Sequence, residues 1–179
     1  ALNVFYSEHD FHSLVSGPEK QDNSVSAISN ENQAQSNYEF ILDENKLDEW
    51  VKKIEAAPAI SFDTETTGLD PRRATLVGMS FSANGESCYI PVAHSYLGCP
   101  DQLSLETVLK KIKPILEDEA KPKWGQNSKF DMAVYSSVGV KVQGVKGDSL
   151  LASYLINPES PHNLDRLAKE YLNYDTLKF

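Results

Sequence analysis

The sequence predicts an α/β fold, a mixed sheet of about five strands flanked by helices. Three observations predict it. Apolar stretches suited to strands occur at 59–63, 75–82 and 87–92, the last two joined by the turn pair Asn84-Gly85. Apolar residues at 3–4 spacing mark helices before and after them. Beyond residue 120, short extended pieces alternate with helical ones, which implies a mixed sheet covered by helices.

Each element has a local reason. Phe40-Ile41-Leu42 suggests a short strand. Asp43 is placed to cap a helix carrying Leu47, Trp50, Val51 and Ile54, and Pro58 breaks it. Ala59 to Asp63 reads as a buried strand. Ser104 caps a helix whose stripe is Leu105, Val108, Leu109, Ile112, Ile115 and Leu116, with an interruption or kink expected at Pro114. Lys123-Trp124-Gly125 is a short strand followed by a helix over about 128–137. Val140 to Val145 and the region at Asp148 form another extended stretch. Helices over 149–156 and 163–171 follow, the second capped by Asn163.

The first 37 residues are different. Residues 1–16 hold a short apolar piece with no domain to bury it, and residues 17–37 are rich in Ser, Asn, Gln and acid. The second stretch reads as a flexible linker and the first as the tail of a preceding domain. The folded part begins near Tyr38.

The chain has 179 residues, 40% hydrophobic and 24% charged, with a net charge of −9. That acidity argues against a generic nucleic-acid coating protein. No run of about 18 apolar residues exists, so no membrane span is expected. Neither a signal-peptide pattern nor a disulfide framework is present; Cys88 and Cys99 also lack zinc-site partners. A reducing cytoplasm is the expected setting.

Asp63-Thr64-Glu65 carries the most chemical information. Carboxylates one residue apart on a strand share a face. They repel each other, and a divalent cation between them would make the pairing reasonable. A solvated strand end would carry the same tripeptide. The second stretch is Gly125-Gln126-Asn127-Ser128-Lys129-Phe130-Asp131. Asn127 is placed to cap the helix that starts there, and Asp131, about one turn inside, offers a third carboxylate.

Together these runs resemble the first two motifs of the DEDD 3′–5′ exonucleases. Leu76-Val77-Gly78-Met79-Ser80-Phe81, Tyr89-Ile90-Pro91-Val92-Ala93-His94, Pro114-Ile115-Leu116-Glu117-Asp118-Glu119 and Ser153-Tyr154-Leu155-Ile156-Asn157-Pro158 narrow the resemblance. They are similar to the proofreading domain of the bacterial family-A (type I) DNA polymerases. The similarity runs over roughly 38–179 in order and spacing. It implies an RNase H-like fold, with residues 1–16 ending a 5′-nuclease-like domain and 38–179 forming a C-terminally truncated exonuclease domain.

The resemblance also implies a mechanism and partners. Two magnesium or manganese ions would be held by Asp63, Glu65 and Asp131. On that resemblance Asp63 would serve both ions, Glu65 would hold the one carrying the attacking water, and Asp131 would act mainly on the second through water. The substrate is a single-stranded or frayed DNA 3′ end, in the bacterial cytoplasm near the nucleoid. Thr66 and Leu69 would meet the terminal nucleotide, Asn127 the strand, and Phe179 a penultimate base. The rest of the polymerase chain is the protein partner, and no membrane is involved.

Plainer roles stand beside these. Leu69 would also suit a core, Asn127 a simple cap and Phe179 a frayed end. His94 is expected as a hydrogen-bonded structural histidine, His162 as a loop residue, Asp148 as a buttress, and Lys129 as a phosphate contact or a solvated charge. The family's third motif, Tyr-x-x-x-Asp on a later helix, is a departure here. Tyr171 and Asp175 match its spacing but come too early and lack its Gly or Ala neighbours. The chain alone is therefore expected to be inactive or weak. An RNase D-type exoribonuclease and a catalytically silent exonuclease-fold spacer are the alternatives; the presence of all three acids weighs against the spacer.

Overall fold

The computed structural model describes residues 37–176. The expectations for residues 1–16, for residues 17–36 and for Phe179 lie outside the described residues. Asn37, read as the end of the linker, opens the first strand instead.

The elements run β1 (Asn37–Phe40), α1 (Glu44–Ala56), β2 (Ile60–Thr66), β3 (Leu76–Ala83), β4 (Glu86–Pro91), α2 (Leu105–Glu117), β5 (Lys123–Gly125), α3 (Ser128–Ser137), β6 (Val145–Asp148), α4 (Ser149–Ile156) and α5 (Leu164–Leu172). The strands form one six-stranded sheet in the order β1-β4-β3-β2-β5-β6. β2, β3 and β4 form an antiparallel meander, while β1, β5 and β6 join in parallel. The count exceeds the expected five because both short edge strands pair.

Local chemistry accounts for the boundaries. Asn84 and Gly85 both have positive φ, as a tight hairpin turn with matched twist demands. Asp43, Ser104 and Asn163 each accept a hydrogen bond from the backbone N–H three residues on, capping α1, α2 and α5. α1 ends before Pro58. α2, however, continues through Pro114 to Glu117. Val108, Ile112, Ile115 and Leu116 are all buried on its inner side. That packing holds the helix across the one hydrogen bond the proline cannot donate.

One face of the sheet meets α1, α2 and α3 in a continuous core. It includes Leu47, Trp50 and Ile54 of α1, Phe62 of β2, Met79 and Phe81 of β3, and Val134 and Tyr135 of α3. Two lysines enter this layer. Lys123 is fully buried and its Nζ donates to the carbonyls of Asp118 (2.7 Å) and Lys121 (3.0 Å). Lys121 Nζ donates to the carbonyls of Glu55 (2.9 Å) and Ala57. The ammonium groups thus satisfy carbonyls at and just past the ends of α1 and α2. Burial lowers the Lys123 pKa.

α4 reverses the usual pattern. Its Ser153 is buried while Leu155 and Ile156 are exposed. Among the described residues, no helix is long and apolar enough to cross a membrane.

Candidate active site

β2 places the two leading acids. Its side chains alternate strictly: Ile60, Phe62 and Thr64 point into the core, and Ser61, Asp63 and Glu65 to the open face. Asp63 pairs across with Ser80 of β3, and Glu65 with Gly78. The register shifts between Glu65 and Thr66. A bulge there ends regular pairing just beyond the acids.

Small partners keep this face clear. A Cβ at Gly78 would lie 1.8 Å from the Tyr89 hydroxyl, so only glycine lets the Tyr89 ring cross the strand beside Glu65. Tyr89 is in turn hydrogen-bonded to His94 Nε2. The Gln102 side chain holds His94 at both its backbone N–H and its carbonyl, each at 2.9 Å. His94 is the hydrogen-bonded structural histidine that was expected.

Asp131 arrives from α3. β5 ends at Gly125, which leaves the Thr64 N–H of β2 without a strand partner on that side. Asp131 fills the gap. Its Oδ1 accepts from Thr64 N (3.0 Å) and from Thr64 Oγ1 (2.5 Å). Two covalent bonds separate that nitrogen from the Asp63 Cα, so Asp131 Oδ1 lies within about 6 Å of it. Asp131 is thereby tied to Thr64, the residue between Asp63 and Glu65.

The electrostatics agree with crowded negative charge. Asp63 reaches solvent, yet the surrounding protein removes part of its hydration. That burial, and then the charge of Glu65, raise its pKa. Asp131 is only 2% exposed. Burial pushes its pKa up to about 6; the Thr64 hydrogen bonds pull down and the Asp63 charge pushes further up.

Behind Asp131, one turn along α3, the Tyr135 hydroxyl is buried and has no hydrogen-bond partner among the described residues. Burial first, then the charges of Asp131 and Asp63, raise its pKa well above the ordinary value. Tyr135→Phe removes an uncompensated polar group and should stabilise the domain by ~1 kcal/mol in chemical denaturation. A loss of similar size would reveal a partner for the hydroxyl.

The other candidate residues are placed as follows. Thr66 Oγ1 donates to the Gly68 carbonyl (2.8 Å) and so shapes the loop after β2. Leu69 is 96% exposed at that loop, which rules out the core role and leaves it free for contact. Asn127 is exposed and left-handed (φ 58°), and its side chain makes no cap hydrogen bond. The expected cap is therefore corrected: the carboxylate of Asp148 takes its place. It accepts from Asn127 N (3.1 Å) and from Ser128 N (2.7 Å) and Oγ (2.6 Å). No local signal marks this, because the two segments lie some 20 residues apart and are brought together by the β5–β6 pairing. His162 is a loop residue but buried. Its Nδ1 bonds Ser153 Oγ at 2.7 Å and its ring stacks on Tyr154. Lys129 is exposed. Asp175 pairs with Lys169 (2.7 Å).

Among the described residues, no three acids, histidines or cysteines stand close enough to ligate a single ion as the side chains lie. Magnesium does not require such a cage. It commonly binds one or two carboxylates and keeps waters and substrate phosphate as its remaining ligands. Two solvent-facing carboxylates backed by a third, with charge that a cation would relieve, fit that habit.

Comparison with known proteins agrees with this geometry. A family model described as 3′–5′ exonuclease matches residues 38–178. DNA polymerase I of Pseudomonas aeruginosa is 43% identical over 151 residues, covering 82% of this chain and 16% of that protein. The chain thus spans about a sixth of that relative's length. A structure of Brucella melitensis NrnC with bound Mg²⁺ superposes with a TM-score of 0.59 at 22% identity, over 80% of this chain and 64% of the other. Trypanosoma brucei RNase D in complex with RNA U12 gives a TM-score of 0.63 at 16% identity, over 79% and 49%. The fold is RNase H-like.

Proposed function

The chain belongs to the 3′–5′ exonuclease family of bacterial type I DNA polymerases, and from that premise we propose that its site trims single-stranded or frayed DNA from the 3′ end as a proofreading domain. One observation carries the reading. Asp63 and Glu65 alternate onto the open face of a central strand, and Asp131 is clamped to the residue between them. Burial and neighbouring negative charge penalise the ionised forms of Asp63 and Asp131, a cost that a cation would relieve.

Hydrolysis adds water across the terminal P–O3′ bond. The shortened strand leaves with a 3′ hydroxyl, and the released nucleotide keeps the phosphate. Asp63 and Glu65 would hold two magnesium or manganese ions, with Asp131 acting through water. Bound there, the ions supply an activated water and neutralise charge on the leaving oxygen. The protein's own part is positional. Thr64 fixes Asp131, the β2 pleat fixes Asp63 and Glu65, and exposed Leu69 offers an apolar contact to the terminal base beside Thr66. Asn127 lies on the approach to α3 and would meet the strand. The bacterial cytoplasm is the setting, and the remainder of a polymerase chain is the protein partner.

The likeness to RNase D makes RNA the competing substrate. The test uses one 3′-labelled sequence as single-stranded DNA and as RNA, with magnesium, with manganese and with chelator. It is run on the 179-residue chain and on the polypeptide of its complete reading frame. Metal-dependent label release from DNA is expected, faster in the longer polypeptide. Preference for RNA would move the site to the RNase D class. No release from either substrate by either polypeptide would sink the nuclease reading.

A further inference from the structure

We propose that Asp148 is a positioning residue for the carboxylate site: it holds the first turn of α3 from outside, and so sets where Asp131 meets Thr64. The inference rests on the exonuclease reading for its functional meaning. Its structural part stands on contacts of Asp148 alone.

α3 begins without a cap of its own. Asn127 precedes it in the left-handed region, which asparagine tolerates better than most residues, and its side chain makes no cap hydrogen bond. The first N–H groups of a helix need an acceptor from elsewhere. Asp148 supplies it and serves two helices at once. Oδ2 accepts from Ser128 N (2.7 Å) and Ser128 Oγ (2.6 Å) at the start of α3. Oδ1 accepts from Asn127 N (3.1 Å) and from Leu150 N (2.9 Å) and Leu151 N (3.4 Å) at the start of α4. Two positive helix ends face one negative charge.

The neighbours tighten the same joint. Ser149 Oγ bonds Gln126 Oε1, and Gln126 Nε2 donates to the His162 carbonyl at 3.0 Å. A Cβ at Gly125 would lie 2.9 Å from the Ser128 Cβ, so β5 turns into α3 with no slack. Asp131 sits three residues beyond Ser128, in the first turn. Releasing that turn moves Asp131 relative to Thr64. Movement of about 1 Å is enough to impair a site of this kind.

Asparagine tests the point, because its amide nitrogen cannot accept a hydrogen bond. Asp148→Asn keeps one acceptor oxygen and must give up the backbone N–H groups on one side, either Ser128 N or those of Asn127 and Leu150. The Thr64 amide, bonded to Asp131, reports the outcome by hydrogen exchange without metal or substrate. We expect Asp148→Asn to lower Thr64 protection at least about tenfold more than that of core amides such as Ile54. In the complete polypeptide, the manganese concentration for half-maximal DNA trimming should rise by about 10–100-fold. Asp148→Glu, with its longer side chain, should not rescue either. Thr64 protection that is unchanged, or that falls only in step with the core, would overturn the proposal by leaving Asp148 a plain buttress. A selective loss at Thr64 in a protein whose wild type trims no DNA would sink the exonuclease reading instead and leave the Asp148–Asp131 link standing.

Discussion

Alanine at Asp63 should leave a folded domain that no longer shortens DNA. Asp63 lies on the open face of β2, pairs across with Ser80, and contributes nothing to the core. Its removal deletes no buried contact and relieves the repulsion with Glu65 that helps raise its pKa. Stability in chelator should therefore stay level or rise slightly. Activity should fall at least about 10³-fold, equivalent to ~4 kcal/mol of lost transition-state stabilisation. Release of a 3′ label from single-stranded DNA with magnesium measures this in the complete polypeptide, beside a control such as Glu106→Ala on the exposed side of α2. Glu65→Ala should behave like Asp63→Ala. If the Asp63→Ala protein trims DNA at the wild-type rate, the carboxylates have been assigned the wrong role.

The central strand and its acids were readable because their signals are local. Alternation from Ile60 to Thr66 fixes which residues share a face, and Asn84-Gly85 allows little besides a tight hairpin. Capping residues Asp43, Ser104 and Asn163 sit where their side chains can reach the third N–H along. The failures have a common cause, which is that the deciding contact comes from a distant segment. Asn127 looks like a cap, but an acid in the next β–α unit does the capping. Lys121 and Lys123 carry no local mark of burial, yet carbonyls left by two helix ends draw them inside. Pro114 reads as an interruption or a kink, and the helix is not interrupted, because packing on both sides of the proline carries α2 onward. Asp131 is legible as an acid one turn inside the helix that starts after Gly125, and the family resemblance adds its role. Nothing local to it announces the Thr64 N–H that holds it.

Asp131→Asn should separate stability from activity. The substituted amide oxygen can accept the same two hydrogen bonds from Thr64, so the fold keeps its joint between β2 and α3. What is lost is a buried negative charge. In the folded protein the Asp131 pKa is about 6, against roughly 3.9 for an unfolded aspartate. The folded state thus binds this proton more tightly than the unfolded state. Its favourable contribution is complete below pH ~4 and is lost as pH rises through ~6. Over that interval the penalty grows to the order of 2–3 kcal/mol, since each pKa unit corresponds to about 1.4 kcal/mol. Without metal, the wild type should become less stable from pH 4 to 8 by more than the variant does. Urea midpoints in chelator, taken across that range, measure the difference. At pH 8 the variant should be the more stable protein, yet its DNA trimming should fall by at least about 10²-fold, near 3 kcal/mol. Magnesium should narrow the stability gap, because a cation compensates the charge that the variant lacks. Parallel pH profiles for the two proteins would mean that Asp131 is not the strained acid of this site.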